Sequence, residues 1–181
     1  LNLSAVHSYL SLLCVPDPAS IYEHVYKLPA AHTLVFQNDN ITIRRYWDVT
    51  FEEHDCFTEG EWCEQLLEQL REAVTIRLIS DVPLGAFLSG GIDSSAVVAM
   101  MAATMNQPVK TFSIGFAESG YNEASDASLV ARHLGTDHTE LILAAAETQS
   151  VIHKIFAYLD EPFADSSAIP TYFVSALARR D

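Results

Sequence analysis

Phe87-Leu88-Ser89-Gly90-Gly91-Ile92-Asp93-Ser94-Ser95 is the stretch on which the reading of this chain turns. A short apolar run, Leu84–Leu88, enters it with strand character, and Ser94–Met105, apolar on most faces, leaves it as a helix. A glycine-rich link between a buried strand and a helix is where anion-binding loops belong. Two adjacent glycines let backbone N–H groups approach phosphate oxygens. Ser94 and Ser95 are placed to cap the helix and donate hydroxyls, and the helix N-terminus adds partial positive charge. Asp93 is the odd member, because a carboxylate beside phosphates is repelled unless a divalent cation stands between them. Mg²⁺, which binds one or two carboxylates plus phosphates and keeps waters, fits that role. No Lys follows the glycines, which excludes the G-x-x-x-x-G-K-[ST] loop, and the G-x-G-x-x-G spacing is absent too.

Working outward, the flanks alternate. Thr58 with Glu61 is a capping-box signature opening a helix to about Ile79, with Trp62, Leu66, Leu70 and Val74 as its stripe. After the loop come a strand over 109–116 (Phe112, Ile114 and Phe116 at period two), a helix over 123–134 stopped by Gly135, and a strand over 138–143. Helices follow over 147–159 and 167–180, the latter tolerating Pro170 in its first turn. Strands separated by helical crossovers predict an α/β fold, a parallel sheet with helices on both faces, whose ligands sit at the carboxyl ends of the strands. The opening third has another character. Residues 3–14 read as a helix ended by Pro16-Asp17-Pro18. Thr33–Gln37, Asn38-Asp39-Asn40 and Ile41–Trp47 read as a hairpin. The expected organisation is an opening unit over 1–50, a linker over 51–58 and the α/β unit over 59–181.

Composition narrows the function. A net charge of −14 with only 10 Lys and Arg argues against nucleic acid, whose non-specific affinity comes from clustered cations. No apolar run approaches the roughly 18–20 residues that span a bilayer, so the expectation is a soluble, cytoplasmic protein. Cys14, Cys56 and Cys63 show neither C-x-x-C spacing nor an even count and are expected to be reduced thiols. The 7 histidines lack metal-ligand spacing and read as surface or half-buried residues.

The loop resembles the pyrophosphate loop, SGGxDS, of the N-type ATP pyrophosphatases. Thr111–Phe116, Asn122-Glu123, Leu159-Asp160-Glu161-Pro162-Phe163 and Asp165-Ser166-Ser167 resemble successive blocks of the glutamine-hydrolysing asparagine synthetases. Tyr9-Leu10, Lys27-Leu28-Pro29 and Tyr46-Trp47-Asp48 resemble the end of that family's glutaminase domain, a class II amidotransferase, so the likeness covers essentially the whole chain. It implies an adenine nucleotide alpha-hydrolase-like (PP-loop) fold, preceded by a remnant of an α+β glutaminase domain. It further implies an ATP-dependent ligase that adenylates the aspartate side chain, releases pyrophosphate, and lets ammonia from glutamine displace AMP.

Carried over by this resemblance, Phe87, Leu88, Ser89, Gly90, Gly91, Asp93, Ser94, Ser95 and Ile114 would bind ATP or its pyrophosphate. Phe87 and Ile114 would meet adenine, and Asp93 would hold Mg²⁺. Ser166 and Ser167 fall near the α-phosphate and aspartate, or act as helix N-caps, and Glu161-Pro162 reads as a helix end ahead of a direct catalytic role. The family's N-terminal nucleophilic cysteine has no match, because the chain starts at Leu1. The family's second phosphate-contacting block and its catalytic lysine are expected beyond Asp181, so no catalytic set is complete and the piece alone is expected to be inactive. The implied partners are small molecules (aspartate, glutamine or ammonia, ATP), and whether the chain forms a homodimer is left open. Two alternatives stand beside this one: a β-lactam-synthetase-like adenylating cyclase, and a non-catalytic nucleotide-binding scaffold.

Overall fold

The computed structural model describes residues 1–51, 57–117 and 124–180. The polar stretch over 52–55, Cys56 and the Asn122-Glu123 block lie outside the described residues. The chain divides into two compact units, one formed by residues 1–55 with 156–166, the other by 56–155 with 167–181. Residues 156–166, which the sequence pattern groups with the α/β part, thus pack with the opening segment.

In the first unit, α1 (Leu3–Leu12) starts at Asn2, whose side chain accepts from the Ala5 N–H. It ends at Leu13, whose left-handed backbone and N–H to Tyr9 stop it before the Pro16-Asp17-Pro18 run is reached. Ala5, Val15 and Ile21 form a small buried core, with Val6, Tyr9 and Ala19 against it. Strands β1 (His32–Gln37) and β2 (Asn40–Arg45) pair antiparallel in the register Leu34 opposite Ile43. Asn38 and Asp39 turn the hairpin with positive φ, 50° and 58°, a conformation these residue types tolerate. Trp47 lies beyond the strand. It remains exposed together with Ile41 and Ile43.

The second unit carries the parallel sheet, in the order β3 (Gly85–Phe87), β4 (Lys110–Phe116), β5 (Asp137–Leu143). Both pairings are parallel, with Phe87 opposite Phe112 and Phe112 opposite Thr139. On β4, Thr111, Phe112 and Ser113 are all buried. Successive residues point to opposite faces, so both faces of this strand are covered and the period-two apolar pattern is only half of its burial.

Helices flank the sheet. Helix α2 (Glu59–Thr75) opens with the expected capping box: the Glu61 N–H donates to Thr58 Oγ1, and Thr58 N–H donates to Glu61 at 2.7 Å. Its stripe is buried only at the C-terminal end. Val74 packs with Met101 and Val109, whereas Trp62 and Leu66 stay exposed. A 3₁₀ turn, Ile76–Leu78, follows. Helix α3 (Ile92–Thr104) and α4 (Ala124–Leu134) bury Val98, Ala127 and Ala131 against Leu88 at the end of β3. Gly135, at φ +66°, stops α4 as expected. Helix α5 (Ala145–Phe156) ends several residues before Glu161, and α6 (Ala168–Ala178) packs on β4 with Pro170 in its first turn. Among the described residues, no helix is long and apolar enough to cross a membrane.

Candidate functional site

The loop leaves β3 as the sequence implies, and its geometry explains each glycine and serine separately. Gly90 has φ +83°, and a Cβ placed on it would stand 2.6 Å from the backbone nitrogen of Ala127. Only glycine fits between the loop and the first turn of α4. Gly91 is the N-cap of α3 and offers no side chain, so no side-chain oxygen caps the first-turn N–H groups of that helix. Those donors, together with the helix dipole, face outward at the end of a β-strand, an arrangement that suits an anion.

The two flanking serines tie the loop to itself. Ser94 Oγ donates to the Gly91 carbonyl at 3.1 Å and accepts from the Ser89 N–H at 3.3 Å. Ser89 Oγ lies 3.0 Å from Ser94 Oγ and accepts from the Gly91 N–H at 3.3 Å. With the Ser94 proton on Gly91, the Ser89 hydroxyl donates to Ser94. The expectation that Ser94 and Ser95 cap the helix is corrected. Extended backbone at Gly91 lets α3 begin at Ile92, which places both serines inside its first turns. Ser95 Oγ is buried with no hydrogen-bond partner.

Beside the loop lies a cavity of about 500 Å³. Phe87, Leu88, Ser89, Ser94, Ile114 and Ser167 line it, so six of the sequence-designated residues converge there. Leu88 enters with its side chain in the core and its N–H already committed to the Phe112 carbonyl at 2.9 Å. Gly90, Gly91, Asp93 and Ser95 are not among the lining residues. Asp93 is exposed in the first turn of α3. Among the described residues no group of three or more His, Cys, Asp or Glu is gathered to hold a metal ion. Two carboxylates nevertheless stand at the loop, Asp93 in the first turn of α3 and Asp126 against Gly90. One or two carboxylates suit Mg²⁺ where phosphate and water supply the other ligands.

Ser166 and Ser167 part company. Ser167 lines the loop cavity, and although it stands just before α6 its backbone is helical and its side chain makes no capping bond. Ser166 belongs to the first unit, where it lines a larger cavity of about 1000 Å³ with Cys14, Tyr26, Lys27 and Phe163. That cavity has the greater volume but no strand–glycine–helix element. Glu161, expected as a helix end, instead ties distant parts of the first unit together. Its carboxylate accepts from Lys27 Nζ at 2.6 Å and from the Ile21 N–H at 2.8 Å. Lys27 Nζ also donates to the Val15 carbonyl at 2.7 Å. Burial would raise the Glu161 pKa, and the Lys27 ammonium and Ile21 N–H more than offset it, so the carboxyl sits below its usual range.

Residues to which the sequence assigns no ligand role also reach the cavity or stand beside it. Phe112, Ser113 and Phe116 of β4, Ala127 of α4, and Pro170, Thr171 and Val174 of α6 complete the lining. Behind Ser113 stands half-buried His138, bonded through both ring nitrogens to Ser113 and Thr111. Burial lowers its pKa, against an opposing effect of Glu140. The sequence signal for this group is Thr111 and Ser113, two polar residues at period two among the apolar residues that follow Lys110 in β4.

Comparison with known proteins adds a family. A model described as asparagine synthase matches residues 65–181. Over 99% of its length the chain is 39% identical to a putative glutamine-hydrolysing asparagine synthetase 2 of Methanocaldococcus jannaschii, and covers 35% of that protein. It is 32% identical, over 99% of its length, to glutamine-hydrolysing asparagine synthetase 1 of Bacillus subtilis, covering 28% of it. A Gibberella zeae protein named amidase chry2 is 34% identical over 139 residues. The chain thus spans about a third of the length of the curated relatives it matches.

Proposed function

The chain belongs to the asparagine synthase family, and on that premise we propose that its second unit holds ATP for a ligase that converts aspartate to asparagine through a β-aspartyl-AMP intermediate. The observation that carries this reading is the loop. A strand end and the serines Ser89 and Ser94 line one largely apolar cavity, and between those serines the chain passes through a glycine whose place no side chain fits and into an uncapped helix start.

In this proposal the N–H groups at the start of α3 and the hydroxyls of Ser89 and Ser94 hold the β- and γ-phosphates, the serines exchanging their internal hydrogen bonds for phosphate oxygens. Ser95, whose hydroxyl is buried away from the cavity lining, is retained on the family resemblance alone. Phe87 and Ile114 flank the adenine, and Ser167 lies toward the α-phosphate and the aspartate carboxylate. Ser166, in the other unit, is retained as a substrate-binding residue on the family resemblance alone. Asp93 holds Mg²⁺, which supplies positive charge to the departing pyrophosphate. The protein's work is to align carboxylate and α-phosphorus and to shield developing charge, with little proton transfer at the activation step. The first unit is assigned as the end of a glutaminase domain that supplies ammonia, in a cytoplasmic enzyme acting on small molecules.

The test is calorimetric titration of ATP with Mg²⁺, paired with aspartate-dependent pyrophosphate release when ammonia is supplied directly. Residues 1–181 alone are expected to bind ATP without turnover, since the resemblance places further catalytic residues outside them, and the full chain is expected to do both. Failure of the full chain to bind ATP would sink the proposal. A second reading keeps the same adenylation with a different acceptor, since not every similar protein is named an asparagine synthetase. Pyrophosphate release stimulated by another carboxylate and not by aspartate would select it. A scaffold would bind ATP and release nothing.

A further inference from the structure

Ser113 is the polar side chain that β4 contributes to the loop cavity, and it heads a hydrogen-bond chain running back through the sheet. Ser113 Oγ lies 3.3 Å from His138 Nε2, His138 Nδ1 lies 2.9 Å from Thr111 Oγ1, and Thr111 Oγ1 lies 2.8 Å from Thr136 Oγ1. The parallel register that sets Thr111 opposite His138 builds this chain. At its far end Thr136 Oγ1 donates to the Ala131 carbonyl at 3.5 Å.

With the Thr136 proton given to the Ala131 carbonyl, which only accepts, Thr136 accepts from the Thr111 hydroxyl. Thr111, with its proton committed, accepts from His138 Nδ1–H. Half-burial disfavours the imidazolium, and a neutral ring with its proton on Nδ1 has a bare Nε2. Ser113 must donate to that nitrogen.

We infer that Ser113 presents a fixed hydrogen-bond acceptor to the cavity, with His138, Thr111 and Thr136 as positioning residues that hold it in that sense. A ligand gains there by offering an N–H or O–H and loses by offering a second acceptor. The inference rests on the nucleotide reading above for its ligand, whose matching donor is either the amino group of a 6-aminopurine or a ribose hydroxyl.

The experiment uses the full chain and two readouts. Titrations compare ATP with inosine triphosphate, 2′-deoxy-ATP and 3′-deoxy-ATP, which separate the amino from the sugar source. One analogue is expected to bind the wild type roughly tenfold more weakly than ATP, the scale of one hydrogen bond. Ser113→Ala should bind ATP and that analogue alike. Thr136→Val, which does not line the cavity, should narrow the wild-type discrimination by severalfold. Separately, ¹⁵N NMR should show His138 neutral and protonated on Nδ1. An Nε2–H ring, or a wild type that binds all four nucleotides equally, overturns the inference. A wild type that binds no ATP while His138 shows the Nδ1–H form overturns the nucleotide reading and upholds the polarity of Ser113.

Discussion

Gly90 lies against Ala127 so closely that its missing side chain is a packing requirement: a Cβ would meet the Ala127 nitrogen at 2.6 Å and Asp126 Cβ at 2.7 Å. With φ at +83° the position is also one that other residues adopt only under strain. Gly90→Ala is therefore expected to cost about 2–4 kcal/mol of stability, from overpacking plus backbone strain. Urea unfolding measures it. Gly91→Ala is the control, since its nearest neighbour would be the Ser89 hydroxyl at 3.3 Å, a side chain able to shift. Equal costs at the two positions would show that the packing argument is wrong.

Asp93→Asn keeps shape and polarity and removes the charge assigned to Mg²⁺. Aspartate-dependent pyrophosphate release by the full chain should fall roughly a hundredfold or more. An exposed carboxylate in the first turn of a helix contributes at most about 1 kcal/mol to folding, so melting should be little changed. Near wild-type release across a range of Mg²⁺ concentrations would leave Asp93 as an ordinary acidic residue at a helix start.

Glu161→Gln tests the tie to Lys27 and Ile21. The amide can still accept from the Ile21 N–H, so the loss is that of a partly exposed ion pair, about 1 kcal/mol. Because the Glu161 pKa is lowered on folding, its contribution is complete above the unfolded value and disappears as pH falls through the folded one. Wild type and variant should therefore converge in stability on acidification below about pH 4.3. Parallel denaturation curves at neutral and acid pH decide the matter.

His138 gives a second pH dependence, in a different window. Its pKa is also lowered, and its neutral form is the one that folding favours. The stability it supplies is full above about pH 6.5 and declines as pH falls from there through the folded value. Melting temperature should drop on acidification in step with protonation of His138 followed by NMR. Titration of that ring at or above the free-imidazole value would contradict its half-buried, neutral assignment.

Much of the α/β unit is legible in the sequence because its signals are local. The Thr58–Glu61 box, Gly135 and the apolar runs over 84–88, 109–116 and 138–143 each act within a few residues of themselves. The loop is legible for the same reason. Two things are not. Serine preference alone would have Ser94 and Ser95 cap α3, and it does not reveal that extended backbone at Gly91 moves the helix start to Ile92. The bonds of Glu161 and of the Ser113–His138 group escape the sequence because their partners are remote, 140 residues away for Ile21 and 25 for Ser113. Strand register and chain return, which only the folded chain displays, bring them together.

The separation between Ile21 and Glu161 has a consequence for synthesis. Residues 1–55 leave the ribosome long before Glu161 is made, on the order of ten seconds earlier at ordinary elongation rates. Throughout that interval Lys27 has no carboxylate opposite it and the Ile21 N–H is served by water. Residues 1–55 are thus completed late relative to their own synthesis, closing only after residues 56–155 have been translated. A nascent chain halted before residue 161 should leave its opening segment open to protease, and one released past residue 166 should protect it.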